Sequence, residues 1–100
     1  MNLLEEHRDT INTLCRKHKV QRLYVFGSFL SDNFSQKSDI DLLVRFEGVD
    51  LASYADNYYE FKFSLQQLLH RSIDLIEDQA VRNPYFRQSI STQQQLLYAA

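Results

Sequence analysis

The sequence predicts an α/β (α+β) domain in which a small mixed β-sheet carries helices packed against one face. Three observations lead there. Apolar residues recur at three- and four-residue steps over residues 3–18 and 51–70, and β-forming runs fill residues 23–26, 39–46 and 72–77. The segment between the last two runs is also long enough to return the chain parallel to the strand it left.

In the first helix the apolar positions are Leu3, Leu4, Ile11, Leu14, Cys15 and His18, and Asn2 with Glu5 has the spacing of an N-terminal cap. Leu23, Tyr24, Val25 and Phe26 form a strand that stops at Gly27, and residues 29–34 leave room for a turn or two of helix. The second strand covers residues 39–46 and ends at Glu47 and Gly48, with Asp50 placed to cap the long helix. That helix has Leu51, Tyr54, Tyr58, Phe61, Leu65 and Leu68 as its core stripe, and Ala52, Ala55, Tyr59 and Phe63 as a second apolar face. A third strand follows over residues 72–77. Asn83 and Pro84 then start a last helix, and residues 96–100 read equally as helix end or short strand.

With 100 residues the chain forms one domain, residues 1–100, with a modest core and a need for partners. A hydrophobic fraction of 44% and a charged fraction of 24% suit a soluble globular protein, and a net charge of −2 gives no bulk grip on nucleic acid. Nucleotide contacts must therefore be local. The single cysteine, Cys15, excludes an internal disulfide and reads as a small buried side chain. Short apolar runs and the charged Glu5, Glu6 and Arg8 argue against export or membrane spanning, so a cytoplasmic location is expected.

The chemistry concentrates in VFGSFLSDNFSQKSDIDLLV, residues 25–44. Alternation along a strand projects Asp39 and Asp41 to one side, with Cα atoms roughly 6–7 Å apart, and sends Ile40 into the core. Two carboxylates that close repel unless a cation lies between them, and Mg²⁺ prefers such oxygen donors. Gly27 permits a sharp turn after the strand. The amides of Ser28, Phe29 and Leu30, with the Ser28 hydroxyl, could then face a phosphate at a helix N-terminus. Taken singly, Gly-Ser is a turn and Asp-x-Asp a solvated strand end. Together, at neighbouring strand ends joined by a short linker, they would hold a nucleoside triphosphate for in-line attack by a hydroxyl.

Gly27-Ser28, ten residues, then Asp39-Ile40-Asp41 resembles the signature of the DNA polymerase β-like nucleotidyltransferase superfamily, and the short chain resembles its minimal nucleotidyltransferase branch. The resemblance implies that fold, with Asp74 in SIDLIE as a third catalytic and metal-binding carboxylate. It also implies two Mg²⁺ ions, ATP as donor, and a HEPN-domain toxin as the partner that is adenylylated on tyrosine. Asp74 interrupts a run that should be buried, where a lone carboxylate costs several kcal/mol, and a shared cation would relieve it. One departure stands out. Phe29-Leu30-Ser31-Asp32 replaces the family's arginine-containing run, so Lys37 or Arg45 is a candidate to meet the triphosphate instead, although an ordinary solvated cation is the commoner role for either. The competing reading is a nucleotidyltransferase-fold module that neutralises a partner by contact alone.

Overall fold

Alternation along the strands serves two faces of the sheet. The computed structural model describes residues 2–31, 34, 35 and 37–100. The chain runs α1 (Leu3–Glu6), α2 (Arg8–Lys17), β1 (Val20–Phe26), β2 (Ile40–Phe46), α3 (Tyr54–Leu69), β3 (Ile73–Glu77), α4 (Pro84–Thr92) and β4 (Gln94–Ala99). The strands lie in the order β3-β2-β1-β4. β1 is antiparallel to both β2 and β4, whereas β2 and β3 are parallel, as the long α3 crossover requires.

The mixed sheet agrees with the sequence, but the one-sided packing does not. Ile40, Leu42 and Val44 of β2 and Leu23 and Val25 of β1 pack on Ile11 and Cys15 of α2 and on Phe61, Leu65 and Leu69 of α3. On the other face Phe26 and Leu43 meet Val81 and Ile90 in a smaller cluster, which α4 helps to cover. Consecutive apolar residues such as Leu42-Leu43-Val44 are the mark of a strand buried on both sides.

Helix boundaries also shift. The leading helix is two pieces broken at His7, and Asn2 Oδ1 accepts from the Glu5 amide at 3.0 Å as expected. Residues 51–53 form a separate 3₁₀ turn before α3, and the Asp50 side chain makes no capping bond. With about three residues per turn, that segment rotates Leu51 off the core stripe, leaving it 93% exposed. Tyr54, Tyr58 and Leu68 do pack on the core. His18 is buried beside Phe61, and Asn57 Nδ2 donates to its carbonyl at 2.8 Å, which ties the end of α2 to α3.

The ambiguous tail is strand: β4 pairs with β1 and buries Leu97. Before it, Asn83 Oδ1 accepts from the amides of Tyr85 (2.9 Å) and Phe86 (3.2 Å), with Pro84 opening α4. Removing this cap in Asn83→Ala is expected to lower stability by about 1 kcal/mol, seen as a lower urea midpoint at unchanged slope. Cys15 is fully buried, and burial pushes its thiol up to about 12 against the lowering effect of Arg16, as suits a packing residue. Among the described residues no helix is long and apolar enough to cross a membrane.

Candidate active site

The parallel register of β2 and β3 sets Asp41 directly beside Asp74, on strands about 4.8 Å apart. On its other side Asp41 is the register partner of Phe26, so Gly27 arrives next to its carboxylate. Gly27 has φ +72°, and a Cβ there would lie 2.5 Å from Asp41 Oδ2. The two halves of the sequence motif are therefore in contact: the glycine is small because the aspartate occupies the space beside it. Asp39 sits one residue before β2 and is exposed.

Asp41 is partly buried, and its carboxyl is held above the usual range first by burial, then by the charges of Asp74 and Asp39. Asp39 and Asp74 thus both act on Asp41 at one end of the sheet. Asp74 differs from expectation in one respect. It is exposed on the face opposite the main core, between buried Ile73 and Leu75, so desolvation is no argument for a cation at that residue. Repulsion among the carboxylates remains one.

The donor set fits a hard divalent cation. Among the described residues no three His, Cys, Asp or Glu side chains converge enough to hold an ion unaided. Mg²⁺ does not need such a cage, because it commonly takes one or two carboxylates and completes its shell with water and substrate phosphates.

After β1 the chain makes a single 3₁₀ turn, Gly27–Leu30, which starts two residues before the expected turn or two of helix, with the Ser31 amide donating to the Ser28 carbonyl at 3.0 Å. So short a turn has little macrodipole, and any phosphate contact here rests on individual N–H groups and the Ser28 hydroxyl. Asp32 lies outside the described residues.

Of the two candidate cations, Arg45 is engaged away from the site carboxylates. It lies four residues along β2 from Asp41, roughly 13 Å away in a strand, and its Nη1 is 3.2 Å from Asp78 Oδ2. Lys37, exposed on the loop leading to Asp39, stays near the site. Sequence reasoning missed Arg71. Its guanidinium donates to the carbonyls of Ser35 and Ser38 (the latter 3.0 Å) and stacks over Phe34 at 4.5 Å, while Phe34 meets Phe29 edge-on at 4.8 Å. Arg71 thereby fastens the linker between Gly-Ser and Asp39 to the start of β3. Its place three residues before Asp74 was the only hint, and nothing in the sequence says which backbone it would reach.

The sequence pattern of the Polymerase beta, Nucleotidyltransferase family matches residues 9–100. The chain belongs to that family. It is 32% identical over 97 residues to "Putative protein adenylyltransferase MJ0128" of Methanocaldococcus jannaschii, covering 97% of this chain and 91% of that relative. Among solved structures, one described as a "putative minimal nucleotidyltransferase" superposes with a TM-score of 0.75 at 30% identity, covering 95% of each chain. A chain of a toxin-antitoxin crystal structure with AMP-PNP superposes with a TM-score of 0.70 at 25% identity, covering 93% of this chain and 73% of that one. The architecture is the polymerase β-like nucleotidyltransferase fold, and the chain is a nucleotidyltransferase by family.

Proposed function

We propose that this nucleotidyltransferase is a Mg²⁺-dependent protein adenylyltransferase, moving AMP from ATP to a tyrosine hydroxyl of a HEPN-domain toxin and so acting as its antitoxin in the cytoplasm. The observation that carries the reading is the contact of Gly27 with Asp41, with Asp74 in register beside it. The named activity of the Methanocaldococcus jannaschii relative supports a protein acceptor, and the toxin-antitoxin structure with AMP-PNP supports ATP and a toxin partner. The HEPN domain and the tyrosine rest on the motif's resemblance to minimal nucleotidyltransferases.

In this scheme Asp39 and Asp41 would hold two Mg²⁺ ions, with Asp74 a further ligand of one of them. The bound metal supplies charge neutralisation at the phosphates. Gly27 and Ser28 hold the β and γ phosphates, leaving the α-phosphate beside the carboxylates. The acceptor oxygen bonds to the α-phosphorus as the bond to the oxygen bridging toward the β-phosphate breaks. Pyrophosphate leaves with that electron pair, and Asp74 takes the hydroxyl proton.

Mixing the protein with ATP, Mg²⁺ and a HEPN toxin tests this by intact mass spectrometry. The toxin is expected to gain adenylyl groups on tyrosine, and the gain is expected to vanish in Asp39→Asn. An unmodified toxin in a formed complex contradicts the reading. Mg²⁺ or Mn²⁺ with ATP is also expected to raise the wild-type melting temperature, and Asp41→Asn to blunt the rise, because the metal relieves carboxylate repulsion. A melting curve indifferent to millimolar metal would count against a shared site.

One observation favours neutralisation by contact. Tyr59 and Phe63 are about half exposed on α3 and stack with ring centroids 6.0 Å apart, where the sequence expected either core or interface. Tyr59→Ala and Phe63→Ala are expected to weaken toxin binding if this face anchors the partner.

A further inference from the structure

Beyond the carboxylates, the same face of the sheet holds a cleft of about 450 Å³. Its floor includes Tyr24, Leu43 and Ile90, and its walls carry Arg22, Arg45 and Arg87 against a single carboxylate, Asp78. In a chain of net charge −2 this is a local excess of positive charge.

The arginines are not equally committed. Asp78 takes Arg45 at 3.2 Å and Arg87 at 3.1 Å, and Arg87 Nη2 also donates to the carbonyls of Asp78 (2.8 Å) and Val81 (2.9 Å). The Arg22 guanidinium has no hydrogen bond or ion pair among the described residues. Yet Arg22 is the register partner of Arg45, so two arginines stand opposite each other across the β1–β2 ladder. Like charges in that position destabilise a sheet, and here only one of the pair has a counter-ion. An anion from outside the chain would satisfy the other.

The position of the cleft says which anion. Asp41 and Arg45 share one face of β2, four residues or roughly 13 Å apart, about the span of four residues of an extended peptide. The Gly27–Ser28 turn lies at the far end of β1, beyond Asp41. A triphosphate tail held by Gly27 and Ser28 would lie at the end of β1 away from the cleft, and in-line attack would then bring the acceptor from the cleft side.

We propose that this cleft is the acceptor subsite, taking an extended polypeptide segment with a carboxylate about four residues from the hydroxyl that receives the adenylyl group. The inference rests on the adenylyltransferase reading for its orientation. A nucleic acid fits less well, because it needs an extended basic surface rather than three arginines around one confined cleft.

Binding, rather than turnover, separates this inference from the reading it rests on. The probes are fluorescent peptides with a central tyrosine and glutamates about four positions to either side, the same peptides with glutamine, and a single-stranded RNA oligomer. By anisotropy, the wild type is expected to prefer the glutamate peptide by roughly fivefold. Arg22→Ala should erase that preference, Arg22→Lys should keep part of it, and Asp41→Asn should leave it intact. Equal affinity for both peptides, a preference that survives Arg22→Ala, or RNA binding that alone depends on Arg22 overturns the proposal. If the peptide preference holds while no adenylyl transfer occurs, the cleft stands as a peptide-binding site, and its acceptor role falls with the adenylyltransferase reading.

Discussion

Asp41→Asn is expected to reduce nucleotidyl transfer about a thousandfold and, without metal, to leave the fold more stable than wild type at neutral pH. The two effects share one cause. Burial, then Asp74 and Asp39, raise the Asp41 pKa in the folded protein, so the folded chain binds this proton more tightly than the unfolded chain does. In acid, where Asp41 is protonated in both states, the site carries no penalty. As pH rises through the raised pKa, the carboxylate ionises among its neighbours and stability falls. Melting with a chelator present, from acid to neutral pH, is expected to show a decline in wild type that Asp41→Asn lacks. Coincident curves would mean that the repulsion is too weak to matter.

Gly27→Ala is expected to disable the site while leaving all three carboxylates in place. Its φ of +72° strains any side chain by about 1–2 kcal/mol, and its new Cβ would lie 2.5 Å from Asp41 Oδ2. The turn or the carboxylate must move, and either change alters the fit between the Gly27–Ser28 turn and Asp41. Transfer should fall nearly as far as in Asp41→Asn, with a lower urea midpoint. A double-mutant cycle isolates the contact: Asp41→Ala in the Gly27→Ala background should restore part of the stability and none of the activity. Strictly additive stability losses would show that Gly27 matters only as a turn.

The site was more legible in the sequence than the fold around it, for physical reasons. Period-two alternation places Asp39 and Asp41 on one side of Ile40, and the brevity of the linker brings Gly27 to Asp41. Asp74 was identifiable as a carboxylate within an apolar strand, yet its exposure was not, because Ile73-Asp74-Leu75 reads alike whether the second face is covered or open. The same ambiguity hid the face that α4 covers, since the apolar pairs in β1 and β2 do not say what lies on each side. Leu51 was misplaced because the chain turns as a 3₁₀ segment before α3, and a 3.6-residue period carried back through it lands on the wrong side. Arg71 and the Arg22–Arg45 pair depend on tertiary approach. The second of these also depends on a register shift between Val20 and Arg22, which no spacing rule supplies.

The central claim is that the Gly27–Ser28 turn and the three aspartates form one nucleotidyl transfer site. It is tested most directly by giving the protein and a HEPN toxin ATP labelled either at the α-phosphate or at the γ-phosphate. The account predicts that α-label becomes covalently attached to the acceptor while γ-label leaves as pyrophosphate, and that both outcomes are lost in Asp41→Asn. Covalent γ-label on the acceptor, or α-label transfer that persists in Asp41→Asn, would contradict it.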